Sequence, residues 1–270
     1  MLQQRVVTAL ALVGILLACL FWLPLVAWDV LVSIPLLVGL AEWARLAGMS
    51  AGRAIIYAMS GMVFSLLVWF LHLSVWLYIA SGLLWLLVVP LWLTAGWKLA
   101  SPWLRLPLGI LVLAPMWLSM VDFRRQGAWW VLGLMMVVWI ADSAAYFTGR
   151  AIGRHKLAPA ISPGKTWEGV FGALAGVLLY GAFLMLFLGH QMPNPRAWLV
   201  PVLLFLVLML YLGIIGDLFE SWIKRLADVK DSGHLLPGHG GMLDRIDALT
   251  STLPVAALII LHSELLQGVI

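Results

Sequence analysis

Residues 54–94, AIIYAMSGMVFSLLVWFLHLSVWLYIASGLLWLLVVPLWLT, contain no Asp, Glu, Lys or Arg, and how they divide decides the topology of the whole chain. As one α-helix these 41 residues would measure about 62 Å at 1.5 Å each, roughly twice the 30 Å of bilayer hydrocarbon. The segment therefore reads as two spans, broken at Leu71-His72-Leu73-Ser74. Outward from it the chain stays apolar. With 64% hydrophobic residues and a mean hydropathy of +1.05 over 270 residues, it holds far more apolar surface than a soluble domain can bury. The expected class is an all-α, polytopic integral membrane protein. Nine spans of membrane-crossing length fall near 6–22, 28–47, 54–70, 73–94, 106–121, 128–149, 167–189, 197–222 and 246–267.

Charge placement tests that count. With nine spans, thirteen Lys and Arg residues lie on the side of the N-terminus and three (Arg124, Arg125, Arg196) on the other. Merging 54–94 into one span changes the split to six against ten, which the positive-inside bias disfavours. The N-terminus is thus expected in the cytoplasm and the C-terminus outside. The run after Met1–Arg5 is long and has no small-x-small cleavage site, so it reads as a retained first helix. The single cysteine, Cys19, lies in that helix, which excludes a disulfide framework or cysteine metal site. A net charge of +4 arranged along one membrane face needs no nucleic-acid partner, because anionic lipid and cytosolic nucleotide are the counter-ions at hand. Most of the sixteen tryptophans read as interfacial or lipid-facing.

Residues 1–127, about five helices, read as a scaffold, with Asp29 and Glu42 near span ends where water reaches them. Residues 128–270 hold the chemistry, with sizeable polar loops at 150–166 and 223–245 on the cytoplasmic side. Asp142 and Asp217 lie about two turns inside the sixth and eighth spans, and intramembrane acids are costly enough to point to function; pairing with Lys or Arg, or capping a helix, is the alternative. Asp217, Glu220, Ser221 and Lys224 share one helical face by their 3, 4 and 7 spacing. Asp244 and Asp247 sit one turn apart at the start of the ninth span. Carboxylates converging at one depth repel unless a cation or proton lies between them, and hard oxygen ligands near phosphate suggest magnesium. Lys165, Lys224, Arg225, Lys230 and Arg245 form a cationic rim suited to phosphate oxygens. Pro237-Gly238-His239-Gly240-Gly241 adds backbone N–H groups that an anion can approach. Two other motifs fail: Gly164-Lys165-Thr166 has Pro159 where a phosphate-binding loop needs glycine, and His234 with His239 lacks a third nitrogen or sulfur zinc ligand.

The segment Ser221–Asp247, SWIKRLADVKDSGHLLPGHGGMLDRID, resembles the signature of the phosphatidate cytidylyltransferases, also called CDP-diglyceride synthetases. Ser162–Gly169, SPGKTWEG, is similar to a second landmark of that family, with Gly164 where lysine is common, and Asp142–Tyr146, DSAAY, to a third. The resemblance extends to the length and the nine-span layout.

It implies transfer of CMP from CTP to phosphatidic acid, giving CDP-diacylglycerol and pyrophosphate in phospholipid biosynthesis, at the inner membrane and with a divalent metal. Combined with the placement of the charges, it makes Asp142, Lys165, Ser221, Lys224, Asp231 and His239 the expected catalytic residues. Ser162, Thr166, Arg225, Lys230, Gly240, Gly241 and Arg245 are the expected substrate contacts. Asp217, Asp244 and Asp247 are expected to hold magnesium, with room for a second cation. A secondary transporter is disfavoured by the absence of an inverted repeat and of paired broken helices at mid-membrane, and an alcohol phosphotransferase by the absence of a DG-x-x-A-R motif. Gly172-x-x-x-Gly176 permits close helix packing within or between subunits; a homodimer is the base-rate expectation.

Overall fold

The computed structural model describes residues 13–97, 101–191, 194–233 and 240–262. They form helices α1 (Val13–Trp22), α2 (Leu25–Leu46), α3 (Ala51–Phe70), α4 (Ser74–Leu83), α5 (Val89–Ala95), α6 (Pro102–Gln126), α7 (Ala128–Ile152), α8 (Trp167–Leu188), α9 (Pro195–Leu226) and α10 (Leu243–Leu261). A π-turn, Leu84–Val88, joins α4 to α5 in one continuous rod. Its cause is Pro90, which lacks an N–H and crowds the carbonyl four residues back. Segment 54–94 is two helices, as its length requires: α3 ends at Phe70, and His72 takes φ 57° to turn the chain into α4. Seven of the described helical rods, from Leu25–Leu46 to Pro195–Leu226, are long and apolar enough to cross a membrane. The expected all-α class is amended only by a short antiparallel hairpin, β1 (Lys156–Ala158) and β2 (Ser162–Thr166). It occupies part of the expected 150–166 loop.

Helix α10 is the centre of the fold. It packs against α2, α4, α6 and α9, and every residue from Ala248 to Ala257 is buried. Seven of the ten side chains there, all but Leu249, Leu253 and Pro254, are small or β-branched, which allows close approach. The Ser251 hydroxyl donates to the Leu212 carbonyl at 2.8 Å, and a Cβ at Gly216 would meet Ser251 Oγ at 2.4 Å. That approach brings Asp217 of α9 beside Asp247 of α10. The glycine stripe of α8 packs within the chain: Cβ atoms at Gly172 and Gly176 would meet Thr148 Oγ1 at 2.2 Å and Ala144 Cβ at 3.0 Å, both on α7.

Five tryptophans are exceptions to the expected lipid-facing majority, and one expectation is corrected. Trp28, Trp43, Trp85, Trp92 and Trp117 are buried core residues; Trp43 donates its indole N–H to the Arg105 carbonyl at 2.8 Å, and Trp28 donates to the Met120 carbonyl at 3.3 Å. These bonds clamp antiparallel α2 and α6 together. Glu42, expected in water, is only 7% exposed.

Candidate active site

Helix α9 has 32 residues, about 48 Å at 1.5 Å each, so it outruns ~30 Å of hydrocarbon. Its last turns carry the site. Phe219 faces inward, with Trp85 and Trp92 edge-on at 5.5 Å and Trp43 at 6.5 Å. This aromatic cluster fixes the rotation of α9, and the charged residues around Phe219 divide into two groups.

The first group borders a cavity of about 540 Å³ between α7, α8, α9 and the hairpin. Asp142, Arg150, Ser162, Lys165, Thr166 and Asp217 line its polar part, and Val137, Met209, Leu210 and Ile214 its apolar part. Lys165 reaches from β2 to Asp217 at 2.6 Å. Asp142 and Asp247 lie within electrostatic range of that pair, so three carboxylates face one lysine. Ser221 Oγ is 3.4 Å from Asp217 Oδ1. The hairpin that presents Lys165 is tied down on both sides. Thr166 Oγ1 accepts the Gly169 N–H at 3.2 Å and caps α8, while the His155 ring and backbone N–H bond Glu168 at 2.7 and 3.2 Å.

The second group is more deeply enclosed. The Lys224 ammonium lies between Glu220, at 2.6 Å, and Asp244 Oδ1. Asp244 Oδ2 accepts the Gly241 N–H at 2.8 Å, the Ser232 N–H at 3.1 Å and contacts the Ser232 hydroxyl at 3.0 Å. That hydroxyl also lies 2.9 Å from Glu42, which accepts the N–H groups of Met242 and Leu243 at 3.0 and 2.9 Å.

The structure thus gathers Asp142, Ser162, Lys165, Thr166 and Asp217 at one cavity, although the first and last are 75 positions apart. Lys224 is not part of an open rim; it is 9% exposed, because two carboxylates compensate its charge inside. Asp217 and Asp244, expected at one metal, sit in different ion-pair groups. The Gly241 N–H, expected to face an anionic substrate, is taken by the protein's own Asp244. Gly240 adopts φ 79°, and a Cβ there would meet Asp244 Oδ2 at 2.8 Å. Arg225 is exposed and donates to the Val229 carbonyl at 3.1 Å. Lys230, Asp231 and Arg245 are exposed near these groups. His239 lies outside the described residues.

The profile of the cytidylyltransferase family matches residues 3–262 of the chain. The chain belongs to the cytidylyltransferase family. Among its relatives, the phosphatidate cytidylyltransferase of Pseudomonas aeruginosa is 38% identical over 95% of this chain and 96% of its own length. That of Haemophilus influenzae is 32% identical over 94% and 96%. The phosphatidate cytidylyltransferase of Brucella suis is 49% identical over 121 residues, 45% of this chain and 43% of its own. A cytidylyltransferase must hold polyphosphate beside a second reactant, and a cavity with a cation set among acids fits that work.

Three residues of the two ion-pair groups were not among the expected site residues: Glu42, Glu220 and Ser232. Glu42 had a readable signal, an acid near the end of an apolar span, but its partners are about 190 to 200 positions away.

Proposed function

We propose that the chain transfers the CMP group of CTP to phosphatidic acid at the cytoplasmic face of the inner membrane. The observation that carries this reading is a cavity that is ionic towards the hairpin and apolar towards Met209 and Leu210, in a chain with relatives, matched over nearly its full length, that bear the name phosphatidate cytidylyltransferase. A phospholipid with an anionic headgroup has that same division. The lipid phosphate oxygen attacks the α-phosphorus of CTP, the bond from that phosphorus to the bridging oxygen breaks, and pyrophosphate departs. The nucleophile is already an anion, so no general base is required; the obstacle is repulsion between two polyanions. Lys165 at the cavity and the basic residues of the adjoining loops supply the opposing charge.

The donor set fits magnesium. Three carboxylates share one lysine around Asp217, and their oxygens are hard ligands. Among the described residues no group of three or more His, Cys, Asp or Glu side chains is placed to hold a metal ion, but magnesium commonly takes one or two carboxylates and completes its shell with phosphate and water. Asp217 and Asp247 are the residues that would hold it; Asp244 has its oxygens engaged by Lys224, Gly241 and Ser232. When bound, the ion would neutralise phosphate charge and polarise the α-phosphoryl group.

The thirteen-to-three split of basic residues supports this orientation, with the hairpin, the signature segment and the N-terminus on the cytoplasmic side. Purified protein given labelled CTP, magnesium and phosphatidic acid should yield labelled CDP-diacylglycerol and an equal amount of pyrophosphate. Product from a different lipid phosphate but none from phosphatidic acid would overturn the substrate. With Cys19 replaced, a cysteine at Ser162 should react with impermeant reagent from the cytoplasmic side; reaction only from outside would overturn the topology.

A further inference from the structure

We propose that Glu42 is a positioning residue of the transfer reaction, its carboxylate pinning both halves of the signature loop so that Asp244 and Lys224 are held in register. The inference rests on the reading that this group serves the reacting site.

Helix α10 begins without a cap of its own. Met242 stands at the cap position and makes no side-chain capping bond, so the first N–H groups of the helix would be orphaned. Glu42, arriving from α2, accepts the N–H of Met242 at 3.0 Å and that of Leu243 at 2.9 Å. A carboxylate at this end also meets the positive end of the helix dipole. The same side chain reaches the other half of the loop through the Ser232 hydroxyl, 2.9 Å from Glu42 and 3.0 Å from Asp244 Oδ2. Ser232 therefore links the acid of α2 to the acid that grips Lys224.

The two glycines flanking this carboxylate record its presence. A Cβ on Gly233 would lie 2.3 Å from Glu42 Oε1, and one on Gly241 would lie 2.7 Å from that oxygen and 2.1 Å from Ser232 Oγ. A larger residue at Gly233 would collide with Glu42, and one at Gly241 with Ser232, the Gly233 backbone nitrogen and Glu42. Glu42 is 7% exposed and Ser232 8%. An acid buried in an apolar helix is costly unless its partners need it, and here two backbone N–H groups do, with the single Ser232 hydroxyl proton placed between Glu42 and Asp244.

Replacing Glu42→Gln keeps the shape but sets an amide NH2 against backbone N–H donors. We expect hydrogen exchange at Met242 and Leu243 to accelerate at least tenfold. Turnover per folded molecule should fall about 10- to 100-fold, the scale of an ångström-sized misplacement, with KM for CTP changed less than about threefold. Glu42→Asp, which retains the charge, should recover part of kcat. Ser232→Ala removes the link while leaving the two helix-capping bonds, and should lower kcat without a comparable loss of folded protein. Gly233→Ala should impair turnover in the wild-type background and add nothing to Glu42→Ala, because the colliding oxygen is gone. Unchanged exchange in Glu42→Gln, unchanged kcat in Ser232→Ala, or equal harm from Gly233→Ala in both backgrounds would overturn the proposal. So would faster exchange with normal turnover, which is the signature of a purely structural cap. A wild-type protein inactive on phosphatidic acid would count against the substrate reading alone; hydrogen exchange would still decide the pinning.

Discussion

Replacing Lys224→Met should reveal how much of the fold hangs on one ammonium. Lys224 has 11% of its side chain exposed, Glu220 8% and Asp244 14%, so solvent screens the trio poorly. Removing one member of a buried ion pair costs about 3–5 kcal/mol, because the opposite charge is left uncompensated. The two acids differ in what remains to them. Asp244 keeps the N–H groups of Gly241 and Ser232. Glu220 has no hydrogen-bond partner for either carboxylate oxygen among the described residues, and Lys224 is its ion-pair partner. The loss should therefore concentrate at Glu220. In detergent, thermal unfolding followed by tryptophan fluorescence should shift down by roughly 6–20 °C, at about 2–4 °C per kcal/mol for a chain near this size. Adding Glu220→Leu should restore stability to within about 1–2 kcal/mol of wild type, since apolar replacement of a whole buried pair is often neutral. CMP transfer should not return. A single variant melting within 2 °C of wild type, about 1 kcal/mol or less, or a double variant less stable than the single, would refute the assignment of the strain to Glu220.

Asp217→Asn preserves shape and removes charge, so transfer should collapse at limiting magnesium while the protein still elutes as a folded species; near-normal turnover under those conditions would show that Asp217 holds no metal. Gly172→Ala should destabilise the α7–α8 contact by about 1–3 kcal/mol, since its Cβ would meet Thr148 Oγ1 at 2.2 Å and Thr148 Cβ at 2.5 Å. Thr148→Gly in the same chain should relieve that cost, and thermal melts of the single and double variants read both.

The helices were legible because apolar runs of membrane-crossing length have few other uses in water. The break at His72 followed from length alone. Pairing of distant acids and bases was less legible. The 3, 4 and 7 spacing put Asp217, Glu220 and Lys224 on one face of α9, yet nothing local tells that Lys165 selects Asp217 while Lys224 selects Asp244. That choice depends on a hairpin whose strands are three and five residues long, too short to show alternation. The Gly-rich loop was read as waiting for a substrate anion, and its N–H groups do seek anions. The Gly241 N–H finds Asp244 within the protein, and the next two N–H groups, of Met242 and Leu243, find Glu42. Glu42 was overlooked because sequence places it one turn from the end of α2, where water would ordinarily reach; Ser232, Met242 and Leu243 close on it instead.

The two ion-pair groups differ in how readily they can exchange partners, and the proposed reaction makes use of that difference. Lys165 and Asp217 are 22% and 37% exposed, so water and salt weaken their attraction, and pairs of this kind contribute about 0–1 kcal/mol. In the proposed reaction Lys165 would leave Asp217 for an incoming phosphate, and Asp217 would then be one of the carboxylates that hold magnesium. Lys224 cannot leave so cheaply, because Glu220 and Asp244 would remain buried without it. One lysine is therefore free to follow substrate and the other fixes the frame: Lys224 joins α9 to α10, and Ser232 with Glu42 ties that junction to α2. Both groups lie on α9, where Asp217 and Glu220 are three residues apart, so a fixed Lys224 sets the place from which Asp217 meets Lys165.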